Sequence, residues 1–301
     1  MTGLSPIPEL AGIRIYDLAV YVFFSVSGYL ISTSWYRVPV PRVYLAKRAL
    51  RIFPALVAVV VLTTFAVGPL VTTSPQYFSS PQTWGYLGNV TLFATFRLPG
   101  VFEGNPLHAV NGVFWSLGPE FVCYLVVLGL GLLLRRRRLT AAVAMTALLV
   151  VVAVLPVQPL GETASAMVFF GVGTIIAAVL DGRRLPLWPV AVLIALWVGA
   201  AALLPDLWPL AHLQLAWLFV PYIVIALGQA STPVLRRAAR FGDFSYGLYL
   251  WGFLVQQVVV AVRPPLPFAL NLVVVIAVTG LLAVASWHLI EKRALAHKPT
   301  A

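Results

Sequence analysis

Arg48 and Arg51 lie three residues apart in the run Lys47-Arg48-Ala49-Leu50-Arg51-Ile52-Phe53-Pro54, so on a helix they share one face. Two guanidinium groups at that spacing can grip a phosphate or pyrophosphate through paired hydrogen bonds. The same pair can also act as an anchor that snorkels to lipid phosphate. Glu120 is the second candidate. It follows Trp115-Ser116-Leu117-Gly118-Pro119, and the Gly-Pro pair removes a helix hydrogen bond and loosens the backbone beside it. A carboxylate there can bind a hydroxyl acceptor or steer a proton, or it can be a structural partner of a buried cation. His108 is the histidine nearest in sequence. It could serve as a base if its loop folds back over the helices. His212, His288 and His297 fall in loops or at segment ends and read as ordinary. There is no zinc spacing, no phosphate-binding Gly-Lys-Ser loop, no Gly-x-Ser-x-Gly elbow and no dinucleotide fingerprint, so no metal is expected.

The elements that must position these residues are set by the solvent. The chain is 61% hydrophobic and only 10% charged, against roughly 25% charged in soluble domains. A globular surface in water cannot be covered with so few solvated groups. A disulfide scaffold is excluded, since Cys123 is the only cysteine. The bilayer is the expected solvent, and the expected fold is an all-α polytopic transmembrane helix bundle. Nine spans are predicted, at about 16–34, 52–72, 113–134, 141–155, 164–180, 187–204, 213–229, 244–262 and 268–288. The stretch from Trp84 to Phe96 holds Gly85, Gly88 and Asn89 and reads as interfacial or re-entrant. Glu120 would lie roughly two turns into the third span.

The net charge of +11 tests this map. Seventeen of the twenty basic residues fall in one set of loops: Arg37 to Arg51, Arg135 to Arg138, Arg183 and Arg184, Arg236 to Arg240, and Lys292 to Lys298. Arg14, Arg97 and Arg263 fall on the other side. Basic residues collect in cytoplasmic loops, so the C-terminus is expected inside and the N-terminus outside. The charge reports topology and contact with membrane lipids, not nucleic acid. No linker or repeat divides the sequence. One membrane-embedded domain is expected over 1–301, with a short extracytoplasmic segment at 1–15 and a cytoplasmic tail at 289–301. The longest outer segment, about 73–112, carries several Pro and Gly residues and the turn pair Asn111-Gly112. In the first span, small residues at 25, 27, 28 and 32 suit close helix packing. Asp243 and Ser245 could cap the eighth helix.

Five stretches in this order resemble the acyltransferase 3 family of bacterial integral-membrane O-acyltransferases, the O-antigen acetylase type. They are Phe23-Phe24 through Ile31, Arg48 through Pro54, Trp115 through Phe121, Ser245 through Trp251, and the ending Ile290-Glu291-Lys292. The resemblance runs from about Tyr16 to Arg293. It implies an enzyme of the bacterial inner membrane that moves an acyl group, often acetyl, from cytoplasmic acyl-CoA to a hydroxyl of an extracytoplasmic carbohydrate. It implies Arg48 and Arg51 as ligands of the donor phosphates and Glu120 toward the acceptor, with partners in envelope-polysaccharide synthesis. Family members begin with a further helix carrying a histidine proposed as catalytic, which these 301 residues do not contain, and Gly252 stands where a histidine often follows Leu-Trp. The expectation is a start site assigned too late or a truncated, non-catalytic member. Two rivals stand beside the enzyme: a transporter or flippase of a glycan or lipid-linked substrate, and a non-catalytic scaffold.

Overall fold

In lipid a backbone must satisfy its own hydrogen bonds, and an apolar run does this as a helix. The computed structural model describes residues 9–134, 137–155, 160–203, 208–230, 242–262 and 266–299. The principal helices are α1 (Ile15–Arg37), α2 (Pro41–Leu62), α3 (Gly68–Val71), α4 (Pro81–Tyr86), α5 (Leu117–Leu133), α6 (Arg138–Val154), α7 (Leu160–Leu180), α8 (Trp188–Leu203), α9 (Trp208–Gln229), α10 (Ser245–Val262), α11 (Phe268–Ser286) and α12 (Lys292–Leu295). The strands, Glu9–Leu10 and Ile13–Arg14, form a small antiparallel hairpin before α1. The fold is all-α and of the membrane type. Among the described residues six helical stretches are long and apolar enough to cross a bilayer: Ile15–Arg37, Pro41–Val71, Gly112–Leu133, Thr163–Leu180, His212–Gln229 and Phe268–Leu295. Three apolar helices are shorter, Arg138–Val154, Trp188–Leu203 and Ser245–Ala261. The nine expected spans thus divide into six of full spanning length and three shorter ones. Of the basic loop residues, Arg135, Arg136, Arg236, Arg237, Arg240 and Arg263 lie outside the described residues.

Two boundaries differ from the sequence expectation. The second helix starts at Pro41, not near residue 52. Proline fits the first helical turn because its missing N–H would be unpaired there anyway. The basic run from Arg42 to Arg51 is therefore helical, a register that apolarity alone does not reveal. The third segment opens with tight 3-10 turns at Gly112–Ser116, and α-helix begins only at Leu117. Glu120 accordingly sits in the first α-helical turn, where the helix dipole favours an anion. The stretch 84–96 holds the end of α4 and a 3-10 helix at Leu87–Thr91.

The contacts divide the chain into two compact units: Met1–Pro39 with Pro119–Arg236, and Val40–Gly118 with Arg237–Ala301. In the first unit α1 packs on α7 and α9, α7 also packs on α6 and α9, and α8 packs on α9. The α1–α7 seam is set by glycine. A Cβ on Gly28 would lie 2.1 Å from the Phe170 carbonyl oxygen, and one on Gly173 would lie 2.3 Å from the Ser25 carbonyl oxygen. Each helix therefore presses its backbone into a notch on the other, as the small residues of α1 suggest. Ser32 donates to Thr174 across the same seam, at 3.1 Å.

In the second unit α10 packs on α11, and α2 contacts α10, α12 and the Leu87–Thr91 turn. Near its end α2 widens into a π-helical segment at Thr63–Val67. The Gly68 N–H is drawn to the Thr63 carbonyl, and the next residue, Pro69, has no N–H to offer Thr64. The Tyr77 hydroxyl fills that gap, donating to the Thr64 carbonyl at 2.8 Å.

Candidate functional site

Glu120 belongs to the first unit. Its carboxylate is 3% exposed. Oε1 accepts a hydrogen bond from Ser27 Oγ of α1 at 2.8 Å and another from the Tyr124 hydroxyl. Tyr124 is four residues on and so on the same face of α5. The two hydroxyls are 3.3 Å from each other, closing a triangle. Burying a carboxylate is costly unless such donors replace water. Ser27 is delivered by the α1–α7 seam, one residue before the glycine notch. Ser25, Ser27, Gly28 and Ser32 are small enough to form a packing stripe. That holds for Gly28, but the Ser27 hydroxyl has a second role that spacing could not show.

Arg48 and Arg51 belong to the second unit, on α2. Arg51 is already held. Its Nη2 donates to Asp243 Oδ2 at 2.7 Å and to Ser245 Oγ at 3.4 Å, and its Nη1 reaches Glu291 Oε2 at 3.5 Å. The guanidinium also lies 5.5 Å from the centroid of the Tyr246 ring. Tyr246 in turn donates its hydroxyl to the Ile52 carbonyl at 2.9 Å. Glu291 is 2% exposed and takes a further bond from Ser286 Oγ at 2.9 Å. Asp243 accepts from the Ser245 N–H at 3.3 Å, so it caps α10 as expected while also binding Arg51. Arg48 is different. It lies 5.2 Å over the Tyr44 ring, and its Nε is buried without a hydrogen-bond partner. Of the two arginines, Arg51 is engaged by Asp243, Ser245 and Glu291, whereas Arg48 has an Nε donor without a hydrogen-bond partner.

His108 is exposed, in the loop before Asn111. That loop is pinned. Gln257 Nε2 of α10 donates to the carbonyls of Leu107 and Ala109, both at 2.6 Å, on either side of His108. Asn105 Nδ2 donates to the Gln257 carbonyl at 3.0 Å, and Asn111 Nδ2 to the Leu250 carbonyl at 2.9 Å. Two further family signatures meet here: Ser116 Oγ and the Tyr249 hydroxyl are 2.5 Å apart. Gly118 permits close backbone approach, since a Cβ on it would lie 2.7 Å from the Leu92 carbonyl oxygen.

Arg48, Arg51 and His108 thus fall in one unit and Glu120 in the other. The partners Ser27, Tyr124, Asp243, Glu291 and Gln257 were not singled out as site residues from sequence. Glu291 and Ser27 were visible only as parts of signatures. Among the described residues no group of three or more His, Cys, Asp or Glu could hold a metal ion.

The class is a multi-pass helical membrane protein in which the buried carboxylates of Glu120 and Glu291 take their hydrogen bonds from protein side chains. Sequence comparison gives its family. The acyltransferase domain family matches residues 2–290, and the chain belongs to it. It is an acyltransferase by that membership. The chain is 28% identical over 306 residues to the "O-acetyl transferase" of Shigella phage Sf6, covering 92% of this chain and 84% of that protein. It is 26% identical over 325 residues to "Nodulation protein 10" of Rhizobium leguminosarum bv. viciae, covering 95% of this chain and 85% of that protein. No solved structure matches it.

Proposed function

We propose that this acyltransferase takes an acyl group, acetyl in the first instance, from cytoplasmic acyl-CoA and delivers it to a hydroxyl of an extracytoplasmic carbohydrate. The name of the phage relative supports O-acetyl transfer. The asymmetry of basic residues supports a bacterial inner-membrane protein whose arginine cluster faces the cytoplasm. Arg48 binds the donor phosphates, and Arg51, clamped by Asp243 and Glu291, fixes the helix that presents Arg48. Glu120 accepts the proton of the acceptor hydroxyl. The freed oxygen attacks the thioester carbonyl carbon, a C–O bond forms, the C–S bond breaks, and the thiolate leaves and is protonated. Ser27 and Tyr124 hold the Glu120 carboxylate in one orientation for that step. Partners in envelope-polysaccharide synthesis would supply the acceptor.

The observation that carries this reading is the buried Glu120 carboxylate held by two hydroxyl donors in a chain of the acyltransferase family. The test uses the full chain in proteoliposomes, with labelled acetyl-CoA on one side and a soluble glycan on the other. Glu120→Gln should lower transfer by about 100-fold or more while leaving coenzyme A affinity unchanged, the usual scale for losing a general base. His108→Ala should lower it far less. Wild-type transfer by Glu120→Gln, or a larger loss in His108→Ala, would move the proton acceptor away from Glu120.

A further inference from the structure

In the first unit the ends of α1 and α5 and the start of α6 meet around a partly open groove. Its walls are Trp35 and Tyr36 of α1, Val127 and Leu130 of α5, and Met145 of α6, with Arg138 among them. Gly131 lets the Trp35 indole lie directly on α5, since a Cβ there would fall 2.0 Å from the indole Nε1. Thr174 of α7 also lines the groove, but its hydroxyl is engaged. It accepts from Ser32 at 3.1 Å and donates to the Phe170 carbonyl at 3.1 Å. Apart from the polar tips of Trp35 and Tyr36, Arg138 is therefore the side chain of this lining with polar capacity to spare, among the described residues.

The Arg138 guanidinium lies 4.8 Å from the centroid of the Tyr36 ring, which keeps it at the groove. Its Nη1 donates to Asp181 Oδ1 at 2.8 Å. The two side chains are 42% and 78% exposed, so a solvated pair of this kind holds Arg138 only weakly. A guanidinium carries five N–H donors in a flat fork, and the bond to Asp181 leaves an edge for a second anion. Asp181 offsets one positive charge, and the exposed Arg137 beside Arg138 in the chain keeps the turn net positive. A dissolved anion needs no apolar wall, and an apolar ligand needs no guanidinium. The two together match an amphiphile with an anionic head. Trp and Tyr settle at the level of phospholipid headgroups, and basic pockets between helix ends attract anionic lipid.

We propose that this groove binds one anionic phospholipid, its phosphodiester on Arg138 and the upper methylenes of an acyl chain along Val127, Leu130 and Met145. The site assumes nothing about the acyl donor or acceptor. A lipid there braces α1 against α5, the same two helices that Ser27 and Glu120 join.

The test is native mass spectrometry of the full chain released from nanodiscs that hold equal amounts of phosphatidylglycerol and phosphatidylcholine. The wild-type protein should retain one phosphatidylglycerol in about fivefold preference, the attraction of one basic side chain for an anionic surface. Arg138→Gln should abolish that preference, and Arg138→Lys should keep part of it. Asp181→Asn frees Nη1 and removes a competing carboxylate, so it should raise retention. Ala141→Leu fills the groove and leaves Arg138 in place, so it should lower retention. Equal retention of the two lipids by the wild-type protein, or an unchanged preference in Arg138→Gln, overturns the proposal. So does a loss in Asp181→Asn as large as that in Arg138→Gln, which would make the ion pair a structural tie. Displacement of the lipid by soluble glycerol 3-phosphate overturns it as well, because the apolar wall would then contribute nothing.

Discussion

Replacing Arg51 by methionine tests the claim that this arginine is scaffold. Its contacts differ in value. Asp243 is 56% exposed, and a pair of that kind contributes about 0.2–1 kcal/mol. Glu291 is 2% exposed, and stranding a buried charge typically costs about 3–5 kcal/mol. Two features reduce that figure here. Arg51 is itself 26% exposed and its contact to Glu291 is long, at 3.5 Å. Glu291 also keeps its bond from Ser286. Arg51→Met should therefore cost about 3 kcal/mol in all, most of it from the stranded carboxylate. Glu291→Gln removes the charge but keeps the shape and the Ser286 bond, and should cost about 1 kcal/mol. The double variant strands nothing, so it should cost about 2 kcal/mol, not the sum of the two singles. The assay is reversible unfolding of detergent-solubilised protein by SDS titration, run as a double-mutant cycle. A double variant at least as damaging as the sum would refute the argument, because it would mean that Glu291 does not depend on Arg51.

Two further outcomes follow from the packing. Gly28→Ala places a Cβ 2.1 Å from a backbone carbonyl that cannot rotate away, so it should destabilise the protein by about 1–3 kcal/mol in the same unfolding assay; an unchanged midpoint would mean that the α1–α7 notch is not tight. Burial pushes the Tyr77 phenol up to about 12, so its ionisation should appear near pH 12 in ultraviolet difference spectra, not near pH 10. The sign follows from the folded state holding the proton more firmly: this contribution is complete below pH 10 and disappears as pH rises through 12. Tyr77→Phe should lower the amplitude near pH 12 by one phenol, and an unchanged amplitude there would contradict the burial of that hydroxyl.

Sequence made the solvent and the helical class legible because 61% hydrophobic content leaves few alternatives. It also placed Glu120, Arg48 and Arg51 among the residues worth testing. It could not supply their partners. Ser27 meets Glu120 across 93 residues of chain, Arg51 meets Asp243 across 192 and Glu291 across 240. Local spacing carries no information on such pairs. The start of α2 was misplaced for a related reason. Apolar runs mark where lipid contact begins, whereas Pro41 and the good helix formers Ala46, Lys47, Arg48 and Leu50 extend the helix beyond that point. His108 was read through a condition on its loop, and the pinning by Gln257 depends on an amide from a helix some 150 residues away.

The paired notches at Gly28 and Gly173 have a mechanical outcome. Sliding α1 along α7 by about one turn would bring Phe24 or Ser32, on the same helix face as Gly28, against the Phe170 carbonyl, and either side chain would collide with it. These two helices can rock about their contact but cannot piston past one another. The depth of Ser27 relative to α7 is therefore locked like a key in its wards, and any movement of α1 along its axis must carry α7 with it.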